Sequence, residues 1–190
     1  FINFKINSSV VSISKDKKKI YIALTIEEGD KFSVGKLKLK GDIPENISFA
    51  ELEKELAITE GDVFNRSKVN ESTSNVAKTL GNFGFAFANV SSVPTFDEDK
   101  KTVNFTFYVD KGKKIYVRRI NVLGNEKTKD EVIRRELRQL ESSWFAQDKV
   151  DRSKTRLTRT QFFDAIDIDT PAVPGGSDQV DLNIKGAERN

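Results

Sequence analysis

The feature that most constrains this chain is an internal repeat. Residues 20–29 match residues 103–112 at a spacing of 83, and Asp16, Lys17 and Lys18 match Asp99, Lys100 and Lys101. The same offset carries Phe32 and Val34 onto Ile115 and Val117, Leu37 and Leu39 onto Ile120 and Val122, and Gly41 onto Gly124. The offset then shortens to 81, where Val63, Phe64 and Val69 meet Trp144, Phe145 and Val150. It shortens again to 77, where Leu80 and Phe85 meet Leu157 and Phe162. Self-similarity at a fixed period marks one supersecondary unit used repeatedly. The last slip, of four residues, is about one helical turn and predicts a shorter helix in the final copy. The 190 residues therefore divide into two full modules, 31–111 and 112–187. Residues 1–30 read as the closing hairpin of an earlier module that has been cut, and 188–190 as a linker. A chain that starts at Phe1 and holds no Met reads as an excised piece of something longer.

Each full module opens on period-two alternation, the mark of a half-buried strand. The apolar positions are Phe32, Val34, Leu37 and Leu39 in one, Ile115, Val117, Ile120 and Val122 in the other. A skipped beat after Val34, and again after Val117, predicts a bulge. A Gly41 or Gly124 turn follows. Ser48 with Glu51, and Thr128 with Glu131, then have the spacing of a capping box. Leu52 and Leu56 continue the first helix, and Ile133, Leu137 and Leu140 its counterpart. Second helices are expected from about Arg66 to Phe83 and from about Gln147 to Gln161. Val69, Val76 and Leu80, and Val150 and Leu157, face inward. Two strands close each module. One begins at Phe85, Phe87 and Val90. The other carries Val103, Phe105, Phe107 and Val109, with a turn at residues 97–100. In the final copy strands near 165–173 and 178–185 flank Pro174, Gly175 and Gly176. The fold class is α+β: tandem β-α-α-β-β modules, each with two helices on a three-stranded sheet. The opening strand joins the far side of the closing hairpin, which leaves one hairpin strand as an edge.

Composition narrows the chemistry. The chain has no Cys and no His, so the common zinc, haem and iron–sulfur ligands and every His-based mechanism are missing. With 32 basic and 29 acidic side chains it is near balance at +3, although residues 112–190 concentrate 16 bases against 13 acids. A nucleic-acid protein usually carries a larger excess. Asp164, Asp167 and Asp169 lie on the penultimate strand, Asp167 and Asp169 on one face. They could form a cation or carboxylate site, or a charged edge that discourages strand pairing; the second reading is preferred. No cofactor, metal or small-molecule substrate is expected, and no enzyme activity. No apolar run approaches the 18 or so residues of a membrane helix.

The order of motifs resembles the POTRA domain. The residues that carry it are Leu52, Leu56, Gly61, Phe64, Val69, Leu80, Phe83-Gly84-Phe85 and Val90. In the last module they are Tyr116-Val-Arg-Arg-Ile-Asn-Val-Leu-Gly-Asn125, Arg134-Arg-Glu-Leu-Arg-Gln-Leu-Glu141, Trp144, Val150-Asp151, Phe162-Phe163 and Asp178-Gln-Val-Asp-Leu182. The likeness covers essentially the whole chain. It implies the end of a third POTRA followed by the fourth and fifth modules of an Omp85-type β-barrel assembly factor. That protein works on the periplasmic side of the outer membrane, and its own C-terminal barrel would follow residue 190. One departure stands out: Gln161 occupies a place where the family usually has Gly, which predicts a differently shaped helix end.

Two surfaces then become candidates. The edge residues Ala86, Phe87, Ala88, Asn89, Val90, Ser91, Ser92 and Val93 could accept an extended client as an added strand. Arg134, Arg138 and Glu141, spaced i, i+4, i+7, form an outward stripe; by themselves they read as a solvated face. The resemblance makes them contacts for accessory lipoproteins, BamD-like among them. On that footing Glu141→Lys is expected to weaken lipoprotein binding without unfolding the module. The implied function is a scaffold that docks lipoproteins and receives unfolded outer-membrane clients. The alternatives are the POTRA region of another Omp85-type translocation or two-partner secretion protein, and a small α+β nucleic-acid binder using Phe105 and Phe107 as a stacking face. Trp144 is expected to pack in a loop beside Phe145, and the isolated hairpin of residues 1–30 to fray or to pair with another copy.

Overall fold

The structure is a computed structural model, described for residues 5–27 and 30–189. Glu28 and Gly29, at the end of the first repeated stretch, and Asn190, in the expected linker, lie outside the described residues, as do residues 1–4.

β1 (Lys5–Ile13) and β2 (Ile20–Glu27) form an antiparallel hairpin with a continuous ladder to Ile13 and Ile20 and one irregularity after Ile6. Residues 5–27 thus form the hairpin. Its β-branched residues lie on both faces, and Val10, Val11, Ile20 and Ile22 are all more than half exposed.

The first full module runs β3 (Ser33–Asp42), α1 (Phe49–Glu53), α2 (Arg66–Asn82), β4 (Asn89–Asp97) and β5 (Thr102–Asp110). Its sheet order is β3-β5-β4, with β3 parallel and β4 antiparallel to β5. The last module runs β6 (Tyr116–Leu123), α3 (Asp130–Glu136), β7 (Ser143–Trp144), α4 (Gln147–Arg159), β8 (Phe163–Asp169) and β9 (Gln179–Glu188). Its order is β7-β6-β9-β8. In both, the opening strand joins the last strand of the hairpin and the hairpin's first strand is an outer one. The two-residue β7, absent from the sequence expectation, adds a fourth strand; its counterpart in the first module is a single bridge between Ser33 and Val63. The fold is α+β, as expected. The second helix has 17 residues in one module and 13 in the other, the turn removed by the slip in spacing.

Period-two burial makes the sheets. Val103, Phe105, Phe107 and Val109 are buried along β5, and Val180, Leu182 and Ile184 along β9. Helix positions Leu52, Val76 and Leu80 join Val109 in one cluster. Ile133, Val150 and Leu157 close the last core on β6 and β9. Phe105 and Phe107 are 3% and 0% exposed, so they offer no stacking face and the nucleic-acid alternative loses its basis.

Three local expectations change. The Ser48–Glu51 capping box is present, but α3 begins after Lys129 with no side-chain cap. Thr128 instead donates its backbone N–H to Glu188. Leu140 does not face the core: α3 ends at Glu136, Leu137 turns to an extended conformation, and Leu140 is 64% exposed. The cause is Gln139, which is wholly buried. Its Nε2 donates to Leu140 O, Trp144 O and Ser143 Oγ, and its Oε1 accepts from Ala146 N. A buried amide must be satisfied, and wrapping the loop around it satisfies more groups than another helical turn would. Gln161, finally, adopts φ +61°, after the C-cap of α4, as Gly84 (φ +101°) does after the C-cap of α2. The helix end keeps its left-handed residue, and the Gln carries the strain that a Gly would avoid.

Candidate partner-binding surfaces

The opening strand of each module carries a bulge where the skipped beat lies, between Val34 and Leu37 and between Val117 and Arg119. A bulge leaves backbone donors outside the ladder, and the two modules satisfy them in the same way. Glu60 Oε1 accepts from Leu37 N at 3.4 Å, and Glu141 Oε1 from Ile120 N at 2.8 Å. Leu37 and Ile120 are 83 apart, Glu60 and Glu141 81 apart, so the pair is a repeated feature. The last module strengthens it. Arg134 donates through Nη2 to Ile120 O (2.9 Å), through Nη1 to Glu141 (3.3 Å) and through Nε to Asp130 (2.6 Å). Both backbone groups of Ile120 are thus held by one charged pair. The Ile120 amide, more than Arg134, holds the Glu141 carboxyl below the usual carboxylate range.

The three residues of the expected stripe therefore do different things. Arg134 lies in α3, while Arg138 and Glu141 lie beyond its end. Glu141 and Arg134 are turned to β6. Among the described residues Arg138 is pinned only through its backbone, whose N–H donates to Ser153 Oγ at 2.8 Å. Its side chain is exposed beside exposed Leu140. Sequence reading missed Ser153 and its counterpart Ser72, both 0% exposed. Ser72 Oγ accepts from Ala57 N and donates to Lys68 O; Ser153 Oγ accepts from Arg138 N and donates to Lys149 O. The signal was available: the offset of 81 that aligns Val69 with Val150 also aligns these serines.

Trp144 is about half exposed. It packs edge-on against Tyr116 at 5.4 Å, and the Lys114 ammonium lies 4.6 Å over its ring. With Leu140 and Arg138 it gives residues 138–144 a mixed apolar and cationic surface. On β8, Asp164 and Asp169 pair with Arg189 and Lys185. Among the described residues no group of three His, Cys, Asp or Glu is placed to hold a metal, and no helix is long and apolar enough to cross a membrane.

The β4 edge begins later than expected. Ala86, Phe87 and Ala88 precede the strand, and Ala86 packs against the core of the last module. Asn89, Val90, Ser91, Ser92 and Val93 lie on it. Pro94 sits within the ladder opposite Phe105. A proline is tolerated in a paired strand where its nitrogen faces away from the partner. Backbone direction alternates, so Val90 and Ser92 also turn their N–H groups outward. Nothing among the described residues pairs with that side.

The fold defines a protein of tandem β-α-α-β-β modules. The chain belongs to the POTRA family: the family profile, described as surface antigen variable number repeat, matches residues 32–112 and 115–189. Within that family the similarity runs to BamA. The chain is 36% identical to the outer membrane protein assembly factor BamA of Neisseria meningitidis over 100% of its own length and 24% of that protein. It is 28% identical to BamA of Buchnera aphidicola over 98% and 30%. It superposes on the crystal structure of Haemophilus influenzae BamA POTRA3-5 with a TM-score of 0.87 and 31% identity, covering 97% of this chain and 72% of that one. The Haemophilus ducreyi BamA lacking POTRA domains 1-3 gives 0.70 and 34%, covering 84% and 30%. The chain thus spans about a fifth to a third of the curated relatives it matches. As a POTRA region of the BamA type it stands on the periplasmic side of the outer membrane.

Proposed function

We propose that this chain is a non-enzymatic scaffold of outer-membrane protein assembly that docks accessory lipoproteins and receives unfolded β-barrel clients. The observation that carries the reading is the unpaired outer side of β4, where Val90 and Ser92 present backbone donors to an incoming extended segment. Binding through main-chain hydrogen bonds tolerates varied client sequences. Residues 138–144 supply the second surface, for a BamD-like lipoprotein, with Arg138, Leu140 and Trp144 facing solvent. Arg134 and Glu141 shape that surface by fixing its base to β6. The resemblance to BamA assembly factors supports both assignments.

The test uses the 190-residue chain. A peptide from a barrel strand of an outer-membrane client is titrated against Ser92→Pro, which removes an outward N–H and leaves the β5 ladder intact. A lipoprotein partner is titrated against Arg138→Glu, which changes an exposed charge and leaves the Ile120 clasp alone. Each variant should lose one partner and keep the other. Wild-type affinity of Ser92→Pro for the peptide would sink the strand-addition reading. Wild-type affinity of Arg138→Glu for the lipoprotein would sink the docking assignment.

A further inference from the structure

The two modules meet where the end of α2 reaches the start of α4. In α2 the N-cap is Asn65, whose Oδ1 accepts from Ser67 N (2.9 Å) and Lys68 N (3.4 Å). The offset of 81 puts Ala146 in the same role on α4. The backbones agree closely: φ −138°, ψ 113° at Asn65 and φ −144°, ψ 113° at Ala146. Alanine has no oxygen to offer, and α4 has no cap from its own N-cap residue. Asp148 N, the counterpart of Ser67 N, nevertheless has a partner: Asn82 Oδ1, at 2.7 Å, from the last residue of α2.

We propose that Asn82 is the N-cap of α4, supplied across the module boundary, and that it couples the stability of the last module to that of its neighbour. The surroundings place the side chain. Gly81 lets Gln147 approach, since a Cβ there would meet Gln147 Cβ at 3.2 Å. Lys78 Nζ pairs with Asp151 Oδ2 at 2.5 Å. Ile115 N donates to Gly84 O at 2.7 Å. These contacts bring the C-terminal turn of α2 to the N-terminal turn of α4. Swinging the modules apart would leave the first turn of α4 with an orphan donor.

The experiment is urea unfolding of the 190-residue chain followed by Trp144, its only Trp and a reporter of the last module, together with amide exchange at Asp148. Asn82→Ala should raise the unfolding constant about fivefold, the usual effect of removing a cap, and speed exchange at Asp148. Adding Ala146→Ser, which gives α4 a cap of its own, should restore both. Val76→Ala, in the core of the neighbouring module, should shift the Trp144 transition in the wild-type background and shift it less in the Asn82→Ala, Ala146→Ser background. Unchanged Asp148 exchange in Asn82→Ala would overturn the cap. Equal shifts from Val76→Ala in the two backgrounds would overturn the coupling.

Discussion

Glu141→Lys breaks the clasp on Ile120, and its cost can be worked from the contacts. The substitution removes the acceptor of Ile120 N–H and the partner of Arg134 Nη1. Ile120 is 3% exposed, and an unmade hydrogen bond at a buried group costs about 1–3 kcal/mol. The Glu141 side chain is 43% exposed, so water recovers part of that loss and the ion pair itself adds at most a few tenths of a kcal/mol. The new ammonium also meets Arg134 and lies in the field of Arg119. The net expectation is about 1–2 kcal/mol lost from the last module. Glu141→Gln keeps an acceptor oxygen for Ile120 and should cost about half as much. Glu60→Lys, whose bond is longer at 3.4 Å, should cost less than about 0.5 kcal/mol. Urea unfolding read at Trp144 measures the Glu141 variants. With slopes of about 1–3 kcal/mol/M, the Glu141→Lys midpoint should fall by roughly 0.3–2 M. A wild-type midpoint would refute the clasp. A lowered midpoint means that lost lipoprotein binding in Glu141→Lys is partly loss of the surface itself, which is why Arg138→Glu is the cleaner probe of docking.

Two further outcomes follow from the same geometry. Gln161→Gly should stabilise the last module by about 0.5–1 kcal/mol, because the left-handed backbone at φ +61° costs a Cβ-bearing residue about 1–2 kcal/mol while Gly returns part of that as unfolded-state entropy; a loss of stability in urea unfolding would contradict it. Acid should weaken the last module: hydrogen bonds from Thr128 and the Lys127 and Glu126 amides hold Glu188 below the usual carboxylate range, Arg118 does the same for Asp181, and the Ile120 amide for Glu141. Groups with depressed folded values stabilise above their unfolded values and lose that contribution as pH falls through the folded ones, so the Trp144 midpoint should drop below about pH 4 and Glu188→Gln should flatten the drop.

What the sequence made legible was whatever repeats along the chain or follows a period. Alternation located the opening strands, and the skipped beat after Val34 and Val117 located both bulges. The slip of four residues gave the shortened α4. What stayed hidden depended on groups that meet only in space. Thr128 had the spacing of a capping box, yet the three amides of residues 126–128 are taken by Glu188, 60 residues on from Thr128. Leu140 kept the helical spacing of Ile133 and Leu137, but a wholly buried Gln139 ended the helix first. The Arg134–Arg138–Glu141 stripe assumed a helix running through 141, and it dissolved with that helix.

Aligned positions of the repeat also show where the last module departs from the first. Where the first module fills a place with Ile58, 2% exposed, the last has Gln139 and its four hydrogen bonds. Where the first has Gly35, against which Asn104 lies, the last has Arg118 paired with Asp181 at 2.6 Å. Where the first holds its bulge with Glu60, the last uses Glu141 and Arg134 together. The first two exchanges replace apolar packing or bare backbone with a polar group that must be satisfied, and Gln139 and Glu141 hold the segment from Leu137 to Ala146. Such a network fixes a loop without burying its side chains. Arg138, Leu140 and Trp144 can therefore stay in solvent on a rigid base, the condition under which exposed side chains bind without a large ordering cost. In the proposed function the first module binds instead through the edge of β4. The two modules share a topology, and the difference in binding that we propose between them lies in the polar substitutions at aligned positions.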